Sequence, residues 1–278
     1  MRPRARLHRF PLCRLLLCLG GLVLSATLVG CAQNRPTPIP MIQLKDLSGC
    51  VVQASALVVL LPGAYSKPEE FVQEGFVAAL RQRGVAADVT VVDAHLGYFT
   101  DGTVLQRLRD DVVLPARAAG YRSVWLVGIS LGGFAALGYA ARHGSDIDGV
   151  LAIAPYPGTA ALQREIVNAG GPQAWRQAAN LAQPDLERDI WRWLSGDMSG
   201  RQPPIYLGYG RDDRFAKGLE LMASTVPAGH TSTVPGGHDW APWRALWNGW
   251  LERGLLSAGC IKPVASLASG SRKQPRGA

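Results

Sequence analysis

A tight strand-to-helix turn in the middle of the chain limits the folds that this sequence can adopt. Residues 124–127 (V-W-L-V) form an apolar strand-like run, residues 128–132 are G-I-S-L-G, and an apolar helical pattern follows over residues 135–142. In a turn this tight the backbone at the two glycines approaches its neighbours so closely that a Cβ atom would clash. The pattern therefore predicts a strand, a strained turn that carries Ser130, and a helix.

This turn has the form of a nucleophile elbow, in which G-x-S-x-G holds a serine at the end of a strand. The alternative is an ordinary strand–turn–helix with a serine there by chance. In folds that use the elbow, an acid and then a histidine follow the serine along the chain. Here Asp213 lies in the loop after the strand-like residues 204–209, and His238 follows the strand-like residues 231–234. Parallel strands bring their carboxyl ends to one edge of a sheet, so Ser130, Asp213 and His238 are expected to meet there.

Strand-like and helix-like runs alternate through the rest of the chain. Strands are predicted at residues 57–61, 87–92, 123–127 and 149–154, and helices at 71–83 and 102–119, the latter kinked at Pro115. Such alternation predicts an α/β fold with a mostly parallel sheet and helices on both faces. A segment at about residues 156–203 interrupts the rhythm and predicts a small cap insertion. The alternative is a surface excursion packed by its own tryptophans.

With these elements in place, the chain resembles the α/β-hydrolase superfamily over roughly residues 50–256. The elbow is the most specific element of the resemblance, and residues 236–240 (G-G-H-D-W) look like those of certain bacterial esterase-like members. The resemblance implies the α/β-hydrolase fold and a serine hydrolase that cleaves an ester or similar acyl substrate through an acyl-enzyme. One departure is that His-Gly often follows the third strand of the family, whereas residues 61–66 are L-P-G-A-Y-S.

The resemblance assigns a role to each member of the predicted triad. Ser130 is the nucleophile, which needs an adjacent base because a serine hydroxyl is weakly nucleophilic at neutral pH. His238 is that base, and a carboxylate behind it fixes its tautomer. The usual spacing of three residues from a glycine to the acid, counted here from Gly210, selects Asp213, with Asp212 as the alternative.

The resemblance also indicates an oxyanion hole and a substrate pocket. The backbone N–H of Leu131 is one expected oxyanion donor, and that of Ala64 is the first choice for the second. Tyr65, His95 and Trp240 are candidates for the substrate pocket, although His95 is more simply explained as a loop histidine with its own hydrogen bonds. The tryptophans that follow Trp240 at helical spacing are interpreted as a packing stripe.

The first thirty residues have the layout of a secretory signal. Residues 1–14 contain five arginines and no acid, and residues 15–29 are almost wholly apolar or small. Residues 28–31 (L-V-G-C) are similar to a bacterial lipobox, which implies that Cys31 carries lipid. The protein is then exported and lipid-anchored to the cell envelope, on the periplasmic side of the outer membrane if the host is Gram-negative. A retained membrane anchor is the alternative, but about 15 apolar residues are few for a bilayer core of ~30 Å.

The predicted organisation has four parts. They are a lipoprotein signal peptide (1–30), the lipidated cysteine with a Pro-rich spacer (31–49), an α/β-hydrolase domain (50–260) with its cap insertion, and a disordered basic tail (261–278). The formal charge of +8 includes the five signal arginines, and four further cations lie in the tail, so the body is close to neutral. A nucleic-acid partner is therefore not predicted.

Two cysteines remain once the signal is removed and Cys31 carries lipid. Cys50 and Cys260 lie near the two ends of the predicted domain, in a compartment where disulfides form. They are candidates for one disulfide, and two buried free thiols are the alternative.

The expected partners are a small-molecule or lipid-like acyl substrate and, through Cys31, the membrane. The sequence has no metal-ligand cluster, phosphate-binding loop or dinucleotide fingerprint, so neither a metal nor another cofactor is predicted. Two other functions stay open, namely an acyltransferase or peptidase that uses the same triad and a non-catalytic binding lipoprotein. The oligomeric state also stays open.

Overall fold

A computed structural model describes residues 35–50, 52–178, 185–196 and 203–261 of the chain. Within these residues, strands form a seven-stranded sheet in the order β1-β3-β2-β4-β5-β6-β7. They are β1 (Gln43–Asp46), β2 (Ala56–Leu61), β3 (Asp88–Val92), β4 (Ser123–Ile129), β5 (Gly149–Ile153), β6 (Ile205–Gly210) and β7 (Thr231–Val234). Neighbouring strands are parallel except for the pair β1 and β3. The predicted α/β class with a mostly parallel sheet is confirmed.

Helices surround the sheet. They are α1 (Pro68–Gln73), α2 (Phe76–Gln82), α3 (Leu96–Thr100), α4 (Val104–Leu108), α5 (Leu114–Ala118), α6 (Leu131–His143), α7 (Ala160–Asn168), α8 (Pro172–Ala178), α9 (Leu186–Leu194), α10 (Ala216–Ala223) and α11 (Trp240–Glu252). No helix in the described ranges combines the length and the apolar character needed to cross a bilayer. The signal residues 1–30, Cys31 and the tail from residue 262 lie outside the described residues.

Three of the inner strands are buried along their whole length. Every residue of β2, β3 and β5 is buried, which explains why the runs at 57–61 and 149–153 are continuously apolar instead of alternating. A parallel strand covered by helices on both faces needs apolar side chains in both directions. The sheet therefore provides a rigid frame for the loops at its carboxyl edge.

The domain begins earlier than the predicted boundary at residue 50. Residues 43–46, predicted as part of a spacer, form β1 and pair antiparallel with β3, with Gln43 opposite Val92 and Asp46 opposite Val89. Without β1 the outer side of β3 would be an unpaired edge with free N–H and C=O groups. The described part of the predicted spacer thus completes the sheet.

The predicted helix over residues 71–83 is divided in two. Gly75 has a φ of 79°, in the left-handed region that a residue with a Cβ atom rarely adopts, and it separates α1 from α2. Each half keeps its buried face, with Phe71 in α1 and Phe76 in α2 fully buried.

The predicted helix over residues 102–119 contains a π-helical turn, Arg109–Val113, in place of a simple kink at Pro115. Proline has no N–H group, so the carbonyl of Asp111 cannot accept its usual bond within the helix. The side-chain amide of Gln43 donates to that carbonyl instead, at 2.9 Å. The edge strand β1 thus supplies the hydrogen bond that Pro115 removes.

The amino edge of the sheet is closed by contacts between the two ends of the domain. Cys50 and Cys260 form a disulfide with their Cα atoms 5.4 Å apart. Ala54 pairs with Cys260 in an antiparallel bridge, and the N–H of Ile261 donates to the carbonyl of Gln53 at 2.8 Å. Ile261, predicted to begin the tail, is therefore still held by the domain.

Candidate active site

Ser130 occupies the turn between β4 and α6 in a strained backbone conformation. Its φ of 54° and ψ of −115° lie where residues with a Cβ atom are rare. Its N–H donates to the carbonyl of Ile153 at 3.0 Å, and its own carbonyl accepts from the N–H groups of Phe134 and Tyr156 at 3.0 Å each. Such strain persists only where surrounding contacts fix the residue, and these three bonds do so.

The glycines of the elbow are explained by backbone contact. A Cβ atom on Gly128 would overlap the carbonyl of Gly132, and one on Gly132 would overlap the carbonyl of Leu61 at the end of β2. The backbone at Gly132, in the first turn of α6, therefore packs directly on Gly128 in β4 and on Leu61 at the end of β2. These contacts set the height of Ser130 above the sheet.

The structure brings the three predicted triad residues together. The Nε2 atom of His238 lies 3.0 Å from the Oγ atom of Ser130, and its Nδ1 atom lies 2.7 Å from Oδ2 of Asp213. The side chain of Asp213 is 0% exposed and that of His238 is 7% exposed. The carboxylate can only accept at Nδ1, so this nitrogen carries the proton and Nε2 is free to accept from the serine hydroxyl.

The carboxylate of Asp213 has a second partner that fixes its plane. Its Oδ1 atom accepts from the backbone N–H of Phe215 at 2.8 Å, while Oδ2 faces the imidazole. A buried carboxylate is stable only when its oxygens are hydrogen-bonded. The structure therefore supplies one backbone donor and one imidazole donor to this acid.

Asp212 has a different position. Its N–H donates to the carbonyl of Gly236 at 2.9 Å, and its Oδ2 atom accepts from the N–H of Gly236 at 3.2 Å. A Cβ atom on Gly210 would overlap the same carbonyl. Asp212 thus fastens the end of β6 to the loop that carries His238, whereas Asp213 contacts the imidazole.

Two aromatic rings enclose the imidazole of His238. Phe215 and Trp243 pack edge-on against it, each with ring centroids 5.1 Å apart. Sequence reasoning placed Trp240 beside His238 and interpreted Trp243 as packing, but the structure gives this contact to Trp243. Trp240 packs instead against Trp243, Phe71 and Phe76. Two tryptophans three residues apart share a helix face, so periodicity could not choose between them.

The loop after β2 lies beside Ser130. A Cβ atom on Gly63 would be 3.5 Å from the Cβ atom of Ser130, and the N–H of Ser66 donates to the carbonyl of Gly63 at 3.2 Å to form a turn. Ala64, a predicted oxyanion donor, is in this turn. The other, Leu131, is the first residue of α6, where helix geometry provides no acceptor for its N–H.

His95 is buried and both of its ring nitrogens are engaged. Its Nδ1 atom accepts from the N–H of Gly97 at 3.1 Å and caps α3, so Nε2 carries the proton and donates to the carbonyl of Pro36 at 3.0 Å. The ring nevertheless lines an open cleft of about 460 Å³ together with Ala64 and the exposed Tyr65. Two of the pocket candidates, Tyr65 and His95, therefore share one cleft next to the loop after β2.

A second cleft, of about 640 Å³, opens beside the loop that carries Asp213. One wall is the start of the predicted cap, residues 156–163, and the other is the Asp213 loop with the start of α10. Tyr156 lies in this wall, packs edge-on against Phe215 and hydrogen-bonds Glu187. Burial, and then the charge of Glu187, raise the pKa of Tyr156 to about 12, so its hydroxyl stays protonated at neutral pH.

The described part of the predicted cap contains three helices, α7, α8 and α9. Of these, α9 packs along α6, with the guanidinium of Arg142 2.8 Å from a carboxylate oxygen of Asp189. The side chains of Trp175 and Trp191 are buried, and Trp191 donates to the carbonyl of Pro157 at 2.9 Å. Residues 179–184 and 197–202 lie outside the description. Among the described residues, no three His, Cys, Asp or Glu side chains are grouped to hold a metal ion.

The chain belongs to the alpha/beta hydrolase family. The family model matches residues 58–258, which span the sheet from β2 onward and include all three triad residues. A comparison with curated proteins finds no match to the sequence.

The chain is also similar to solved structures at low sequence identity. Est1E from Butyrivibrio proteoclasticus is 15% identical, with a TM-score of 0.51 over 72% of this chain and 87% of that chain. S-formylglutathione hydrolase (FrmB) from Staphylococcus aureus is 14% identical, with a TM-score of 0.49 over 70% of this chain and 80% of that one. A thermophilic esterase from Thermogutta terrifontis is 14% identical, with a TM-score of 0.48 over 77% and 92%.

Proposed function

We propose that the protein is a serine hydrolase that cleaves an ester or similar acyl substrate through an acyl-enzyme. One observation carries the proposal: His238 lies within hydrogen-bond distance of both the Ser130 hydroxyl, at 3.0 Å, and the buried Asp213 carboxylate, at 2.7 Å. A nucleophile, a base and an orienting acid in this arrangement are what acyl transfer requires.

In the first half of the reaction Ser130 Oγ attacks the substrate carbonyl and its proton passes to Nε2 of His238. The resulting imidazolium is stabilised by Asp213, which keeps its own negative charge. The tetrahedral intermediate then collapses, the bond to the leaving alcohol breaks, and Nε2 returns the proton to the alcohol oxygen. In the second half water attacks the acyl-enzyme, His238 takes the water proton, and the serine leaves with that proton as the acid product is released.

The negative oxygen of the intermediate needs hydrogen-bond donors that are already in place. The N–H of Leu131 at the start of α6 and that of Ala64 in the adjacent turn are assigned to this role. Removing one such donor typically costs ~3 kcal/mol of transition-state stabilisation. Both donors belong to the backbone, so replacing either side chain should leave them in place.

The proposal includes export and lipid attachment at Cys31. Its support is the basic and then apolar layout of residues 1–29 and the lipobox-like residues 28–31. The disulfide between Cys50 and Cys260 is compatible with an oxidising compartment.

The test is turnover and covalent labelling of the purified mature protein. We expect hydrolysis of a short-chain aryl ester and labelling by a fluorophosphonate. Ser130→Ala should abolish labelling and lower kcat at least about 10⁴-fold, whereas Ser224→Ala, at an exposed serine of α10's carboxyl end, should change neither. Unchanged turnover in Ser130→Ala would refute the assignment.

A further inference from the structure

The direction of β1 places the amino-terminal part of the described chain on the same edge of the sheet as Ser130. β1 is antiparallel to β3, so its first residue, Gln43, lies opposite Val92 at the carboxyl end of β3. The residues before Gln43 therefore leave the sheet at the edge where β2, β4 and β6 carry the site loops. Had β1 been parallel, they would have left from the opposite edge.

Residues 35–41, here called the N-terminal strap, are docked on that edge. Their contacts are with the β3–α4 connection and the π-helical turn. At the start of the strap, Arg35 pairs with Asp93 and the Pro36 carbonyl accepts from His95. Further along, Thr37 donates to Asp101, the Pro38 carbonyl accepts from Tyr98, and the Met41 N–H donates to Asp111. The Asp93 side chain is buried and pairs with the more exposed guanidinium of Arg35. The strap is therefore a fixed part of the domain.

The strap reaches the candidate active site. Arg35 lines the same cleft as Ala64, Tyr65 and His95, and this cleft adjoins the loop that lies beside Ser130. The other end of the described chain leaves from the opposite edge, where Cys260 is joined to Cys50. The two edges are separated by the length of a strand such as β2, six residues or about 20 Å.

Covalent geometry limits how far the domain can move from a lipid on Cys31. Three residues lie between Cys31 and Arg35, so the two Cα atoms are joined by four residue steps and can be at most about 14 Å apart at full extension. A domain of this size has a radius of gyration of about 17 Å. A lipid on Cys31 must therefore hold Arg35, and with it the edge that carries the cleft, at a distance from the bilayer that is shorter than the radius of gyration of the domain.

The side chains on this edge suit a membrane surface. Ile39 in the strap is 73% exposed and Tyr65 in the cleft is 87% exposed. The cations Arg35 and Lys67 line the same cleft. Apolar and aromatic groups beside lysine and arginine are typical of residues at a bilayer interface, where the cations also meet anionic headgroups.

We infer that the docked strap turns the Ser130 edge toward the bilayer, so that the substrate is a membrane-borne amphiphile whose acyl ester enters the cleft from the lipid surface. This inference rests on the proposed function and on lipid attachment at Cys31. It assigns the strap two tasks: it forms part of the cleft wall and it sets the orientation of the domain.

Orientation is tested on the lipidated protein in phosphatidylethanolamine–phosphatidylglycerol vesicles. A fluorophore is attached to Ile39→Cys and, in a matched control, to Leu47→Cys, which is equally exposed (71%) but follows the opposite end of β1. A spin-labelled headgroup lipid should quench the probe at 39 severalfold more than the probe at 47. Equal or reversed quenching overturns the inference, as does an amino-terminal peptide whose mass shows no acyl chain.

The substrate class is tested by lengthening the tether. A 15-residue Gly-Ser insertion between Asn34 and Arg35 leaves the strap docked and adds a flexible link of about 21 Å. Because the link lowers the effective concentration of the edge at the bilayer, hydrolysis of a vesicle-embedded fluorogenic ester should fall about fivefold or more, with turnover of a soluble aryl ester unchanged. An unchanged vesicle rate overturns the inference. If the wild type does not turn over the soluble ester, that result contradicts the proposed hydrolase activity but not the orientation of the domain. The quenching experiment measures orientation without any turnover.

Discussion

The Ser130 edge of the sheet and the helical insertion between β5 and β6 are held in place by different kinds of contact. At the edge, backbone packs on backbone: Gly132 lies against the carbonyl of Leu61, and Gly210 lies against the carbonyl of Gly236. These contacts fix the backbone of the turn that carries Ser130 and of the loop that carries His238.

In the insertion, charged side chains join the helices. Glu165 of α7 accepts from the indole N–H of Trp175 at 2.8 Å and from both terminal nitrogens of Arg188, at 2.9 and 2.6 Å. Arg142 of α6 pairs with Asp189 of α9. These pairs are partly exposed, and such pairs typically contribute little each. The turns that carry the triad are therefore fixed by steric contact, whereas substitutions in the insertion can reshape the cleft beside Tyr156.

The largest effect is expected from adding one methyl group to the edge. Gly132→Ala should destabilise the protein by about 4 kcal/mol or more, because the new Cβ atom meets backbone that cannot rotate away. Gly138 is the matched control in the same helix, since its Cβ atom would meet side-chain methyl groups and no backbone: Leu186 at 3.0 Å, Ile190 at 3.5 Å and Leu105 at 3.6 Å. Gly138→Ala should stay within about 1 kcal/mol of the wild type, because the gain in helix propensity offsets the small shift. Urea unfolding measures the stability of both variants, and similar values would contradict the proposed difference between the two regions.

The second prediction separates the two neighbouring carboxylates. Asp213→Asn should lower kcat for a soluble ester about 10⁴-fold, because an amide can donate to Nδ1 and select the wrong imidazole tautomer. Asp212→Asn should keep kcat within a few-fold of the wild type, since its side-chain oxygen still accepts from the N–H of Gly236. Circular dichroism checks that both variants are folded. Equal losses of kcat in the two variants would contradict the assignment of the acid.

The third prediction concerns the edge opposite the site. The disulfide between Cys50 and Cys260 encloses a separation of 210 residues, and removing such a constraint typically costs about 2–5 kcal/mol. The double substitution Cys50→Ala, Cys260→Ala should lower the free energy of unfolding by that amount. Turnover of the soluble ester should not change, because the bond lies a full strand length from Ser130. A loss of kcat without a loss of stability would show that the two edges are coupled.

Much of this architecture could be predicted because its signals are local. The apolar runs of the central strands and the order of Ser130, Asp213 and His238 follow directly from the sequence. β1 could not be predicted in this way, because its four residues, Q-L-K-D, include only one apolar side chain and pair at the edge of the sheet. A short, half-exposed strand of this kind is stabilised mainly by pairing with a neighbouring strand. Here that neighbour is β3, which is distant in sequence.

The remaining differences also arise from contacts between distant residues. The choice of Trp243 over Trp240 depends on where α11 lies above the sheet, which helical spacing does not specify. Phe215, which both packs on His238 and donates its N–H to Asp213, could have been suspected from its position two residues after the acid. The docking of the strap could not have been suspected, because a Pro-rich segment before a domain is usually interpreted as a spacer.

The smallest effect is expected in the insertion and depends on pH. Hydrogen bonds from Arg188 and then from Trp175 lower the pKa of Glu165 from an ordinary value of 4.5 to about 2. A carboxyl whose pKa is lower in the folded state adds stability above its ordinary pKa and loses it as the pH falls toward the folded value. Glu165→Gln should therefore lower the free energy of unfolding at pH 7 by less than about 1 kcal/mol, because the pair is exposed to screening by solvent.

The difference between Glu165→Gln and the wild type should shrink as the pH falls from about 4.5 toward 2, since Glu165 then becomes neutral in both states. Unfolding curves at a series of pH values measure it, and turnover of the soluble ester at pH 7 serves as the control, because neither Glu165 nor Arg188 bonds to Ser130, whose hydrogen bonds come from Ile153, Phe134, Tyr156 and His238. If kcat falls with the loss of this pair, the insertion positions the triad, and the distinction between the two regions does not hold.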